Sequence, residues 1–122
     1  MIKTKRKVLL VDDEIGILKV LSVKLKISGY DVIIASGGQE ALGSIRTSNP
    51  DIVLLDLIMP GTDGFQVLEK LRTFSDMPVM AFSARPENAP KAISLGANDF
   101  LSKPFDVDDM VTRIGILLGK GV

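Results

Sequence analysis

Five short, β-branched-rich apolar runs alternate along this chain with five longer stretches of helical period. That alternation predicts a doubly wound α/β fold, (βα)5, in which helices cover both faces of a five-stranded parallel sheet. The predicted strands are Lys7 to Asp12, Asp31 to Ala35, Asp51 to Asp56, Pro78 to Phe82 and Asn98 to Ser102. Most show little polar alternation, as expected of strands buried on both sides.

The first helix is predicted over about Glu14 to Ser28, with Leu18, Leu21 and Leu25 on one side and Gly29 at the left-handed position that ends it. The second begins near Gly38, buries Ala41, Leu42 and Ile45, and must stop before Asn49-Pro50, because the residue preceding proline disfavours the helical region. The third starts at Asp63 as N-cap, with Gln66 three residues on in the pattern of a capping box, and turns Phe65, Leu68 and Leu71 to the core. Pro86 and Pro90 cannot both sit inside one regular helix, so the fourth is expected to begin near Pro90 and finish at Gly96. The fifth runs from an Asp106 cap through Val107, Met110, Val111, Ile114 and Leu118 to Gly119.

A length of 122 residues suits one domain spanning 1–122. With 15 Lys+Arg against 15 Asp+Glu there is no extended basic face for nucleic acid, so direct nucleic-acid binding is not expected. The basic start at Lys3, Lys5, Arg6 and Lys7 leads into an apolar run that Asp12-Asp13-Glu14 cuts short, unlike an export signal. No run approaches the roughly 18 apolar residues of a membrane span. A soluble, cytoplasmic protein with no membrane partner is therefore expected. Cysteine and histidine are both absent, so thiol chemistry, thiolate metal sites and an imidazole base must come from elsewhere.

In an open α/β sheet of flavodoxin-like order 2-1-3-4-5, ligands bind beyond the carboxyl ends of the strands where the winding reverses, between strands one and three. Asp12 and Asp13 close the first strand and Asp56 the third, which predicts three carboxylates within a few ångströms. Mutual repulsion would raise their pKa values unless a cation compensates. An all-oxygen set suits Mg²⁺, which keeps several waters and leaves room for phosphate oxygens. Taken singly, each residue has a plainer account. Asp12-Asp13 before a helix can be an N-cap, Ser83 after Val79 to Phe82 can cap a turn, and Lys103 before Pro104 can be an exposed lysine. Asp56 is harder to dismiss, because it lies within Ile52-Val53-Leu54-Leu55-Asp56-Leu57-Ile58-Met59, where burying an unpaired carboxylate is expensive. The coincidence of all four at successive strand ends favours the functional reading.

Those segments resemble the receiver domains of two-component response regulators over nearly the whole chain. The marks are Val8-Leu9-Leu10-Val11-Asp12-Asp13-Glu14, Asp51 to Gly64, Ala81-Phe82-Ser83-Ala84, Gly96-Ala97-Asn98-Asp99-Phe100 and Leu101-Ser102-Lys103-Pro104-Phe105. The resemblance implies that Asp56 takes a phosphoryl group from the phosphohistidine of a sensor histidine kinase or histidine phosphotransfer protein, as carboxylate nucleophiles can. It implies Mg²⁺ held by Asp13, Asp56 and the backbone carbonyl of Ile58, with Asp12 acting through a water. Lys103 would pair with a phosphoryl oxygen, and the Lys103-Pro104 bond would be cis.

By the same resemblance, Ser83 and Phe100 form the switch. Ser83 would turn to the phosphoryl group and Phe100 into the vacated space, altering the face made by the fourth helix, fifth strand and fifth helix, where two copies could also pair. Phe100 lacks the tyrosine hydroxyl common at its position, so packing alone would sort its orientations. A shortened fourth helix would leave the loop from Arg85 to Ala89 more mobile than usual. Ile58 and Arg85 stand where family members tune the lifetime of the phosphoryl group. The domain would signal rather than turn over a substrate, assisting only its own phosphorylation and dephosphorylation.

Three other classes fit less well. A haloacid-dehalogenase-like phosphatase needs a second acid two residues after its nucleophile, where this chain has Ile58. A flavodoxin-like FMN carrier needs phosphate donors in its first loop, and Asp12-Asp13-Glu14 would repel the phosphate. A phosphorylation-independent pseudo-receiver usually lacks the acceptor, the acid pair or the lysine. A single-domain regulator and the amino-terminal part of a longer one, with an effector domain or output partner beyond Val122, both remain consistent with the sequence.

Overall fold

A computed structural model describes residues 5–119 of the chain. The ends of the expected 1–122 span, residues 1–4 and 120–122, lie outside the described residues. Five parallel strands form one sheet: β1 (Lys7–Val11), β2 (Asp31–Ala35), β3 (Ile52–Asp56), β4 (Val79–Ser83) and β5 (Asp99–Ser102), in the order 2-1-3-4-5. The expected doubly wound α/β architecture is the observed one.

Strand alternation divides the core. Leu9, Val11, Val53, Leu55, Val79 and Ala81 point to one face, covered by α2 (Gly38–Ser48), α3 (Gly64–Arg72) and α4 (Ala89–Ser94) through residues such as Ala41, Ile45, Leu68, Leu71 and Ala92. Val8, Leu10, Ile52, Leu54, Met80 and Phe82 point to the other, covered by α1 (Ile15–Ile27) and α5 (Val107–Leu117) through Leu18, Leu21, Leu25, Met110 and Ile114. With helices on both faces, β1, β3 and β4 have no solvent side, hence their unbroken apolar runs. Among the described residues no helix is long and apolar enough to cross a membrane.

The helix ends follow the expected chemistry with three differences. Gly29 (φ 99) closes α1, and Asn49 (φ 48) leaves α2 in the left-handed region just before Pro50. In α3 the Asp63 carboxylate accepts from the Phe65 N–H at 2.9 Å rather than from Gln66, so Asp63 is the N-cap but the expected capping box does not form. Phe65 lies in the first turn and is half-buried beneath the Lys91 ammonium, 4.4 Å from its ring centroid, while Val67 takes a place in the core. The two prolines each open a segment: Pro86 begins a 3-10 turn over Pro86–Asn88, and Pro90 lies in the first turn of α4. Between β3 and α3 a hairpin pairs Ile58 with Asp63 and Met59 with Thr62 around Pro60-Gly61, with Gly61 at φ 71. Proline followed by glycine is the chemistry of a type II turn.

Arg72, near the end of α3, ties that helix to the α4–β5 connection. Its Nε and Nη2 donate to the Gly96 carbonyl at 3.1 and 2.8 Å, Nη2 also to Asn98 Oδ1 at 3.0 Å, and Nη1 to the Ser75 carbonyl at 3.2 Å. Asn98 Oδ1 in turn accepts from the Val79 N–H at 2.9 Å, at the entrance to β4. Hydrogen bonds involving a charged partner contribute about 1.5–3 kcal/mol each, discounted where water can replace them. Arg72→Ala is therefore expected to lower stability by about 2 kcal/mol in urea melts with an unchanged m-value; a midpoint within error of wild type would refute the clasp.

Candidate phosphoacceptor site

The register of the sheet sets the site. Val11 pairs with Leu55, so Asp12 and Asp13 leave β1 beside Asp56 at the end of β3; Asp56 pairs with Phe82, and Ser83 with Ser102, which puts Ser83 and Lys103 on the neighbouring tips. Backbone bonds continue past the ladder, from the Leu57 N–H to the Phe82 carbonyl at 3.0 Å and from the Lys103 N–H to the Ser83 carbonyl at 2.8 Å. The Lys103-Pro104 bond is cis.

Carboxylate oxygens of Asp12, Asp13 and Asp56 all lie within 4.8 Å of one another. Asp12 and Asp56 are buried, at 0% and 2% exposure, which makes their charge costly without a partner. The Lys103 ammonium answers part of it, 2.9 Å from Asp12 Oδ2 and 3.4 Å from Asp56 Oδ2, and also lies over the Phe82 ring, 5.1 Å from the centroid. Asp12 Oδ1 also accepts from the Glu14 N–H at 3.0 Å, and Asp56 Oδ1 from the Ile58 N–H at 3.3 Å. Asp12 thus fixes the turn that leads into α1, whose N-cap is Glu14 with no side-chain cap bond, so the capping account of the acid pair does not hold.

One lysine does not balance three carboxylates. Burial, then the charge of Asp12, push the Asp56 carboxyl up to about 6 from an ordinary 3.8, against the pull of Lys103 and the Ile58 N–H. Burial pulls the Lys103 ammonium down, but its hydrogen bond to Asp12 and the charges of Asp56 and Asp12 outweigh that and raise it. The all-oxygen donor set and this uncompensated negative charge fit a hard divalent cation such as Mg²⁺.

Two predicted site residues stand apart from the cluster. The Ser83 hydroxyl, fully buried, accepts from the Arg85 N–H at 3.0 Å and from Asn88 Nδ2 at 3.1 Å, and makes no hydrogen bond to Asp56 or Lys103. Phe100 is half-buried, packed against the core on the α2–α3–α4 side. Ile58 exposes half its side chain beside the site.

Gly64, Phe82 and Asn88 escape sequence reasoning as parts of this neighbourhood. A Cβ on Gly64 would lie 2.5 Å from Leu57 Cα and 2.6 Å from the Asp56 carbonyl oxygen, so glycine lets α3 start directly against the backbone that carries the Asp56 carboxylate. Only the pair Asp63-Gly64 at a helix start hints at such an approach.

A family model for the response regulator receiver domain matches residues 8–115. This chain belongs to that family, the receiver domains of two-component response regulators. Among curated relatives it is 40% identical over 121 residues to the "Probable transcriptional regulator ycf27" of Guillardia theta, covering 98% of this chain and 48% of the relative. It is likewise 40% identical over 118 residues to the protein of that name from Porphyridium aerugineum, covering 95% and 49%. The chain thus spans about half the length of these relatives. Among solved structures, the receiver domain of Francisella response regulator 1452 superposes with a TM-score of 0.89 at 35% identity, over 97% of this chain and 100% of that one. The response regulator TrrA of Thermotoga maritima, solved in complex with Mg²⁺-BeF, gives 0.85 at 30% identity over 92% and 98%.

Proposed function

We propose that Asp56 accepts a phosphoryl group from the phosphohistidine of a sensor histidine kinase or histidine phosphotransfer protein, and that the resulting acyl phosphate switches the domain. The observation that carries this reading is the convergence of three carboxylates within 4.8 Å, two of them buried, on one lysine at the rim of the sheet. Asp12, Asp13 and Asp56, with the Ile58 carbonyl, would hold Mg²⁺, which when bound offsets the negative charge of the carboxylates and of the incoming phosphate.

In the transfer, an Asp56 oxygen forms a bond to phosphorus in line with the breaking P–N bond, and the donor imidazole leaves with the electron pair and takes up a proton. These 122 residues contain no histidine, so that imidazole lies outside them. Asp56 must be ionised to attack, which its pKa of about 6 allows at neutral pH. Lys103 carries the other compensating charge. On transfer it exchanges a carboxylate for a phosphoryl oxygen as partner, a point-charge contact its flexible stem permits.

The response would be read at the face formed by α4, β5 and α5, where Arg113 bonds Asp99 at 3.0 Å and two copies or an output partner could dock. Because the curated relatives are about twice as long, we infer that the output lies in an additional domain or, failing that, in a separate partner. The test is incubation with Mg²⁺ and acetyl phosphate followed by intact-mass measurement. One labile phosphoryl adduct is expected on wild type and none on Asp56→Asn; an adduct that persists on the variant would move the acceptor to another residue.

A further inference from the structure

The Ser83 hydroxyl makes no hydrogen bond to the carboxylates or to Lys103 and is held instead by two donors of different standing. The Arg85 N–H is two residues along the same strand-to-turn segment, whereas Asn88 Nδ2 reaches back from the end of the 3-10 turn that leads into α4. Pro86 opens that turn and Pro90 lies in the first turn of the helix that follows. Their fixed φ angles restrict the backbone of the turn that carries Asn88, which lowers the cost of ordering it for this bond.

We propose that Asn88 is a positioning residue that keeps the Ser83 hydroxyl turned out of the phosphoacceptor site, so that Ser83 reaches the phosphoryl group only by letting go of the start of α4. This rests on the reading of Asp56 as acceptor and of Ser83 as the hydroxyl that bonds the transferred group. A hydroxyl that swings toward Asp56 forfeits both donors, and the state with Ser83 turned in is correspondingly less populated before phosphorylation. Ligand affinity falls in proportion to that population, so removing the Asn88 contact raises it. Release also works in the other direction, because an Asn88 that has lost Ser83 no longer pins the turn between Pro86 and α4. Asn88 lines a cleft of about 450 Å³ that it shares with Ile58, Arg85 and Lys91, so water can satisfy the turn once the amide is gone.

The test uses the full chain with Mg²⁺ and beryllofluoride, a phosphoryl mimic, with binding followed by ¹⁹F NMR. Loss of one neutral hydrogen bond corresponds to a shift of about fivefold. Asn88→Ala is expected to bind beryllofluoride about fivefold more tightly than wild type, with the affinity for Mg²⁺ alone unchanged. In the Ser83→Ala background the same substitution is expected to have no effect. Without Mg²⁺, amide hydrogen exchange at Arg85 is expected to quicken at least twofold in Asn88→Ala, since its acceptor is released. Asn88→Leu, which keeps bulk without a donor, repeats the measurement should the alanine variant fold poorly. Affinity that is unchanged or weaker, or a gain that survives in Ser83→Ala, overturns the positioning role. Failure of wild type itself to bind beryllofluoride with Mg²⁺ removes the phosphoacceptor reading, and the Asn88 role with it.

Discussion

Asp56→Asn is expected to make the metal-free protein more stable than wild type at pH 8, by about 2–3 kcal/mol. The Asp56 carboxylate is buried beside Asp12, and its pKa in the folded chain is about 6 against 3.8 for an ordinary aspartate. The sign follows from linkage. Above pH 6 both folded and unfolded chains carry the charge, and the folded one bears the full penalty of enclosing it. As pH falls from about 6 towards 3.8, the folded chain takes up a proton that the unfolded chain does not yet bind, and the penalty is relieved. Below 3.8 both are protonated and nothing differs. That gap, at about 1.4 kcal/mol per pH unit, sets an upper limit of about 3 kcal/mol. Urea melts in EDTA at pH 8 and at pH 4 measure it. The variant's advantage should be large at pH 8 and nearly gone at pH 4, and an asparagine variant no more stable than wild type at pH 8 would refute the buried, uncompensated charge.

Gly64→Ala should act in the opposite direction, and against helix propensity. Alanine within a helix is ordinarily favoured over glycine by roughly 0.5–1 kcal/mol. Here the added methyl would meet three backbone atoms, Leu57 Cα at 2.5 Å, the Asp56 carbonyl oxygen at 2.6 Å and the Leu57 carbonyl carbon at 2.9 Å. No flexible side chain is available to give way, and those atoms continue β3, which is paired on both sides. Overpacking of this kind costs about 3 kcal/mol, which outweighs the propensity gain. The shift has to be taken up by the hairpin or by the backbone of Asp56 itself. Denaturant melts should show the loss, and the Asp56 and Leu57 amide resonances should move. A cost under about 1 kcal/mol would mean that α3 starts elsewhere with little difficulty.

The contrast between these two positions marks what a sequence can carry. The strand tips bearing Asp12, Asp13, Asp56, Ser83 and Lys103 are legible because a strand buried on both faces reads as an apolar run, and an acid or base at its end stands out. Spatial order then follows from the winding rules, and the structure has that order. Gly64 is not legible in this way, since its requirement arises from a backbone brought near by the hairpin, and arms of two residues have no periodicity to detect. The same limit applies to Ser83. Its place at the end of β4 can be read, but the direction of its hydroxyl depends on Asn88, whose contact exists only once the 3-10 turn has formed. Phe65 and Val67 show a smaller version, because helical period identifies the inward side of α3 without showing that its first turn stays partly open under Lys91.

The main-chain links from Leu57 to Phe82 and from Lys103 to Ser83 have a consequence for how such a domain can diversify. They tie together the segments carrying acid, hydroxyl and amine without using any side chain, so no ordinary replacement in the surrounding loops deletes them. Exposed positions such as Ile58, Arg85 and the outer residues of the helices can then change while Asp56, Ser83 and Lys103 keep their spacing.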